Sequence, residues 1–303
     1  MSAIRSLGAL LEEAKRVGPR TVAVACAQDE DVLQALEGAR REGICRGILV
    51  GDRGKVEAMA SKLGVDLSAY ELVDEPEEFA AGMRAVSLVS EGKADILMKG
   101  LIKTANFLKA VLDKEKGLRT GSLLSHVYIH EVKGYDRLLF VTDPAMNIAP
   151  TLSDKVKILE NAVKLAHAFG IERPRVAVLA AVEVVNPDMP ATLDAAALVQ
   201  MNRRGQIKGC LVDGPLALDN ALSLEACRHK GIDSPVGGEA DVLLVPDIES
   251  GNMLSKAIVY TSENRTAGIV LGARKPVVLT SRADSADTKL LSVAVAVVLS
   301  ARA

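Results

Sequence analysis

Two short stretches of the sequence gather residue types that handle anions. Lys99-Gly100-Leu101-Ile102-Lys103-Thr104 follows an apolar run directly, which puts two ammonium groups and a hydroxyl at an expected strand-to-helix turn. Gly100 lets backbone approach a phosphate, Thr104 can cap the next helix, and Lys99 and Lys103 add point charge. A solvated turn with an ordinary cap has the same pattern. The second stretch, Val277-Val278-Leu279-Thr280, runs into Ser281, Arg282, Asp284, Ser285 and Asp287, so a hydroxyl donor, a guanidinium and carboxylates meet just before the last helix. Asp284 or Ser285 reads as the cap of that helix. A covalent serine mechanism is disfavoured, because no GxSxG elbow is present and no histidine lies near Ser281 in sequence.

Two further segments carry polar groups at expected strand ends. Val212-Asp213-Gly214-Pro215-Leu216 reads as a strand closing on an acid and a turn, with Asp213 equally a plain turn former. In Val245 to Asn252, an apolar strand passes through Asp247, Ser250, Gly251 and Asn252 into a helix expected to begin near Met253. That is a phosphate cradle or a simple cap. His126 and His130 share one face of a strand but lack a third ligand, so they read as structural. Gly51-Asp52-Arg53-Gly54-Lys55 lacks the spacing of a nucleotide P-loop, and no GxGxxG follows any expected strand.

The elements that position these loops alternate. Strand-like runs lie at residues 21–25, 47–50, 94–98, 122–129, 138–141, 175–180, 209–212, 240–245, 268–271 and 277–280. Between them, amphipathic periodicity predicts helices such as 29–41, 77–90, 154–169 and 286–300. This is the pattern of an α/β fold with mainly parallel strands and flanking helices, whose ligands sit beyond the carboxyl ends of the strands. At roughly 150 residues per domain, 303 residues predict two domains, with a boundary expected near the proline-containing loop 142–150.

Composition narrows the function classes. Lys and Arg total 37 against 39 Asp and Glu, a net charge of −2, without the basic excess of a nucleic-acid binder. Aromatics are 3% with no Trp, too few for a base-stacking platform. Four dispersed cysteines give no zinc spacing and no disulfide framework, and are expected to be reduced, buried and cytoplasmic. The most apolar stretch, 290–299, falls short of the about 20 residues that span a bilayer.

Taken in order, Met98-Lys99-Gly100, Gly117-Leu118-Arg119-Thr120-Gly121, Thr142-Asp143-Pro144-Ala145-Met146-Asn147, Val212-Asp213-Gly214-Pro215-Leu216, Asp233-Ser234-Pro235-Val236, Pro246-Asp247 with Gly251-Asn252, and Lys275-Pro276 through Ser281-Arg282 resemble the phosphate acetyl- and butyryltransferases. Residues 181–190 and the ending Leu279-Thr280-Ser281-Arg282-Ala283-Asp284-Ser285 are more similar to the butyryl branch, since the acetyl branch typically reads Leu-Ser-Arg-Gly at the second. The resemblance implies a two-domain fold like that of isocitrate and isopropylmalate dehydrogenases, with domains at 1–145 plus 285–303 and at 146–284 and an active-site cleft between them. It also implies a homodimer or higher homo-oligomer.

The implied reaction is acyl-CoA plus inorganic phosphate giving acyl phosphate plus coenzyme A. It is reversible, with direct attack, no bound cofactor and no metal, coenzyme A being substrate or product. Ser281, Arg282 and Asp287 are the implied catalytic residues. Substrate binding falls to Lys99, Lys103, Thr104, Arg119, Asn147, Asp213, Asp247 and Asn252, and residues 182–190 are a candidate acyl-pocket segment. One position departs from the pattern. Acetyl-type relatives carry an acid seven residues after the motif serine, where this chain has Thr288, and Asp287 comes one residue earlier. On a helix that is a rotation of about 100°. Rival readings are a phosphate acetyltransferase, a dehydrogenase on the same fold, and a non-catalytic subunit that senses acyl-CoA.

Overall fold

The computed structural model describes residues 3–261 and 263–302. In chain order the elements are α1 (Leu7–Val17), β1 (Arg20–Ala25), α2 (Glu30–Arg41), β2 (Cys45–Gly51), α3 (Arg53–Leu63), β3 (Glu71–Asp74), α4 (Glu78–Ser90), β4 (Ile96–Lys99) and α5 (Thr104–Val111). There follow β5 (Ser125–Glu131), β6 (Leu138–Thr142), α6 (Leu152–Ala168), β7 (Arg175–Leu179), α7 (Pro190–Arg203), β8 (Leu211–Leu216), α8 (Leu218–Leu222) and α9 (Leu224–His229). The chain ends with β9 (Val242–Leu244), α10 (Ile248–Thr261), β10 (Arg265–Leu271), β11 (Val277–Val278) and α11 (Ala286–Arg302).

These elements group into two compact units: residues 7–122 with 267–302, and residues 123–266 with 3–6. The changeovers at 122/123 and 266/267 differ from the boundaries expected at 145/146 and 284/285. The reason is strand pairing: β5 is antiparallel to β6, with Val127 opposite Thr142, so residues 125–142 go with the second unit.

In the first unit the strands run in the order β3-β2-β1-β4-β11-β10. All neighbours are parallel except the β10–β11 pair. The register sets Val24 beside Met98 and Met98 beside Val278, so β1, β4 and β11 reach their carboxyl ends at one level. Each of these strands is fully buried near its end, from Val22 to Ala25, Ile96 to Lys99 and Val277 to Val278. β-branched and aliphatic side chains covered on both faces are the signature of a parallel sheet under helices. α11 supplies one cover, with Leu291 and every residue from Val293 to Val298 buried. The ten-residue apolar stretch is thus the inner part of a packed helix, and among the described residues no helix is long and apolar enough to cross a membrane.

In the second unit the order is β5-β6-β9-β7-β8, parallel from β6 onward. Its core joins Val141, Ala177, Leu216, Ala221, Val236 and Leu243. His126 and His130 are fully buried on β5. His130 Nδ1 pairs with Thr266 Oγ1 at 2.9 Å, and burial pushes the imidazole down to about 4. The described residues hold no cluster of three or more His, Cys, Asp or Glu suited to a metal.

Candidate active site

The first unit collects its cations where β1, β4 and β11 end. Lys99 closes β4 and is only 5% exposed, its Nζ donating to the Gly100 carbonyl at 3.3 Å. Burial first, then the charges of Arg282 and Lys289, push the ammonium below the ordinary lysine range, against the pull of Asp29. An ammonium already stripped of water and crowded by like charges is poised for an anion.

The turn after β4 is stitched to the end of β1. The N–H of Leu101 donates to Cys26 O at 2.8 Å. Cys26 holds a left-handed φ of 57°, an uncommon conformation for a residue other than glycine, which aims that carbonyl at the turn. Beyond, Lys103 rather than Thr104 occupies the cap position of α5, and no side chain caps it. The expected Thr104 cap is therefore corrected. The end of the turn is held instead from α4, where Glu78 accepts from the Lys103 N–H at 3.3 Å and from Asn106 Nδ2 at 2.8 Å. Those bonds, with the charges of Lys103 and Arg282, keep the Glu78 carboxyl below its usual range. Lys103 and Thr104 are exposed.

After β11 the chain makes a tight turn. Ser281 N donates to Asp284 Oδ2 at 2.7 Å, Asp284 N donates to Ser281 O at 3.2 Å, and Ala283 N donates to Ser281 Oγ at 3.3 Å. The Ser281 hydroxyl accepts inside the turn and keeps its own proton to give outward. Ser285 caps α11, accepting from Thr288 N at 3.2 Å, so Asp284 closes the turn and Ser285 takes the cap. Ser281, Arg282 and Asp287 are all exposed, and Asp287 lies in the first turn of α11.

Lys289, a residue that sequence reading passed over, lies beneath this turn. It is 3% exposed, and its Nζ donates to Ser281 O at 3.4 Å and, at shorter range, to Asp284 O. Asp31 Oδ2 stands 3.9 Å away. Its one sequence signal is a lysine immediately before the most apolar stretch of the chain, 290–299. Arg119 is exposed in the same unit on a loop held by Thr120 Oγ1, which donates to Gly272 O at 2.6 Å.

The second unit carries the other four candidates. Asp143 is buried and accepts from the N–H groups of Ala145, Met146 and Asn147. Asn147 Nδ2 donates back to it at 2.5 Å and to Leu124 O at 2.9 Å, so both amide protons of Asn147 build the turn. Asn252 Nδ2 reaches Pro144 O at 3.4 Å, bringing Asn252 to the same turn. α10 begins at Ile248, not near Met253. Asp247 caps it, accepting from Ser250 N at 2.8 Å and Ser250 Oγ at 2.7 Å. Ser250, Gly251 and Asn252 are therefore inside the helix, which corrects the helix start expected near Met253, and the cap falls to Asp247. Asp213 is likewise inside β8 rather than at its end, three strands along from β6. β9 and β7 lie between its strand and β6, which leads to Asn147.

The first-unit arrangement suits a phosphate-bearing ligand: Lys99 supplies a desolvated charge, Arg282 a fork of donors for oxyanions, and Ser281 a hydroxyl donor. Comparison with known proteins agrees in kind. The family model described as phosphate acetyl/butaryl transferase matches residues 77–297. The chain is 53% identical over 293 residues to a phosphate butyryltransferase of Clostridium acetobutylicum, covering 97% of each chain. It is 47% identical over 289 residues to a phosphate acetyltransferase of Thermotoga maritima, covering 95% of this chain and 98% of the other. Among solved structures, a branched-chain phosphotransacylase from Enterococcus faecalis V583 matches with a TM-score of 0.83 and 35% identity, over 93% of this chain and 99% of that one. Motif order, fold and overall identity converge: the chain belongs to the phosphate acetyl/butaryl transferase family.

Proposed function

We propose that the protein is a phosphate acyltransferase that moves a short acyl group, butyryl by preference, between coenzyme A and inorganic phosphate. The observation that carries this reading is the placement of Lys99 and Arg282 at the ends of neighbouring parallel strands, close enough for the charge of Arg282 to push the Lys99 ammonium down, in a chain 53% identical to a phosphate butyryltransferase. A phosphate oxygen attacks the thioester carbonyl, the tetrahedral oxyanion collapses, the C–S bond breaks, and coenzyme A leaves as thiolate and takes up a proton. The reverse reaction is thiol attack on the acyl phosphate, and neither direction forms an acyl-enzyme.

Magnitudes rank the contributions. A thiol of pKa near 8.5 needs about 2 kcal/mol to ionise at pH 7. Holding two reactants in attack geometry is worth roughly 7–11 kcal/mol, and here both are anions that repel one another in water. Positioning by cations therefore outweighs proton transfer. In this reading Arg282 stabilises the carbonyl oxyanion and Ser281 donates to the carbonyl or the thiol. Asp287 is the candidate base, a role the energetics makes minor. Lys99, Lys103, Thr104 and Arg119 hold phosphate groups, and Asn147, Asp213, Asp247 and Asn252 bind substrate on the second unit.

The butyryl preference is supported by the loop after β7. Val184 and Val185 are 67% and 54% exposed there, and the loop is anchored by an ion pair of Glu183 with Lys230 at 2.5 Å. Two apolar side chains held outward offer an acyl chain a wall. We also propose a cytoplasmic homo-oligomer, in keeping with four free, buried cysteines. The fold-level part of the proposal is kinship with the isocitrate and isopropylmalate dehydrogenases. The test is thiol release from acetyl-, propionyl-, butyryl- and branched acyl-CoA with phosphate. The highest kcat/KM is expected with butyryl-CoA; an acetyl preference makes the protein a phosphate acetyltransferase, and no release from any of them ends the proposal.

A further inference from the structure

We propose that Lys289 is a positioning residue for acyl transfer, whose buried ammonium fixes the Ser281–Asp284 turn so that the Ser281 hydroxyl and the Arg282 guanidinium are presented together at the end of β11. The inference rests on the acyltransferase reading above. The turn has internal bonds between Ser281 and Asp284, yet both of its terminal carbonyls, Ser281 O and Asp284 O, also accept from the single Lys289 ammonium below. One point charge with three donors on a rigid helix thus sets the height and tilt of the turn relative to α11. Arg282 lies between the two tethered carbonyls in sequence, so displacement of either end moves its Cα.

Packing does not account for a lysine here. Leu291 and Val293–Val298 make α11 aliphatic and buried all round, and a side chain 3% exposed at position 289 could be methionine without the several kcal/mol needed to desolvate an ammonium. Asp31 Oδ2 stands 3.9 Å from Lys289 Nζ, and its side chain is 45% exposed, a weak counter-ion. The charge is therefore kept in place mainly by the two carbonyls it orders. Its field also falls on Lys99, which it helps to push below the ordinary lysine range.

The test is a double-mutant cycle on the purified full chain, assayed with butyryl-CoA and phosphate. Lys289→Met keeps side-chain length and removes the donors. Its kcat is expected to fall by tenfold or more, toward the about 100-fold that a 1 Å misplacement entails. KM for both substrates should stay within about threefold, because ground-state binding is not what is lost. In an Arg282→Ala background the same substitution should change kcat by less than about threefold, since residues acting as one unit are non-additive. Should Lys289→Met fail to fold, Lys289→Arg keeps the charge but displaces the donors, and is expected to lower kcat in the same way. A kcat within about twofold of the parent, or an equal loss in both backgrounds, overturns the inference. An inactive parent instead removes the functional reading on which it rests.

Discussion

The N–H of Gly100 donates to the carbonyl of Ala25 at 2.9 Å, tying the turn after β4 to the last residue of β1. A Cβ at position 100 would lie 2.3 Å from Cys26 O and 2.7 Å from Ala25 O, both backbone atoms that cannot swing aside. Gly100→Ala is therefore expected to destabilise the fold by about 1–3 kcal/mol, the range for overpacking. It should also raise KM for phosphate by displacing Lys99. Urea denaturation and phosphate-dependent kinetics measure the two effects, and a variant of parental stability and KM removes the claim that this contact shapes the turn.

Arg282→Ala should lower kcat by the equivalent of about 2–4 kcal/mol, the loss that follows removal of one preorganised oxyanion donor. Because Arg282 is exposed, the melting temperature should hardly move. Steady-state kinetics beside a melting curve separates the two quantities, and a parental kcat takes Arg282 out of the mechanism.

Acid stability has a distinct site. Glu37 is 6% exposed and accepts from Arg40, Arg41 and Tyr70. The Arg40 guanidinium first, then the Tyr70 hydroxyl and Arg41, hold its carboxyl down to about 2 from an ordinary 4.5. A carboxylate with a depressed folded pKa stabilises fully above the unfolded value and loses that stabilisation as pH falls toward the folded one. Glu37→Gln is expected to lose about 2 kcal/mol at pH 7, with the gap to the parent closing between pH 4.5 and 2. Denaturant midpoints at pH 7, 4 and 3 check this, and a gap that does not change with pH contradicts it.

The cysteines should be silent. Burial pushes Cys26 and Cys210 up to about 11 and Cys45 to about 12, and Cys227 shifts the same way. At pH 8 an aromatic disulfide reagent should label none of the four in the native protein and all of them after denaturation. The same reagent then reports coenzyme thiol without background. A rapid native burst of one equivalent would show the opposite.

The strand–helix alternation was legible because buried parallel strands need unbroken aliphatic runs, and each of the ten expected strands has a counterpart in the structure. β3 escaped notice since Glu71-Leu72-Val73-Asp74 is an edge strand with exposed acids at both ends, too short to show a pattern. The start of α10 was misplaced for another reason. Ser250, Gly251 and Asn252 look like breakers, but Gly251 is in the helix at a point where a Cβ would stand 2.7 Å from Val245 Cγ2 and 2.9 Å from Pro144 Cα. Close approach, not turn chemistry, accounts for that glycine. Lys99 could be picked out because the strand before it is so apolar. Lys289 could not, because its role comes from a turn that only the folded chain lays over it.

The first unit is built from two separate stretches of the chain, 7–122 and 267–302, and this shapes its synthesis. A nascent chain leaving the ribosome completes β1 to β4 early but must wait for residues 123–266 before β11 can dock beside β4. At 5–20 residues per second that delay is roughly seven to thirty seconds. Throughout it, the Ile96–Lys99 edge, buried in the finished protein, stays open to any other strand, which makes co-translational chaperone capture and premature termination the natural hazards of this gene product.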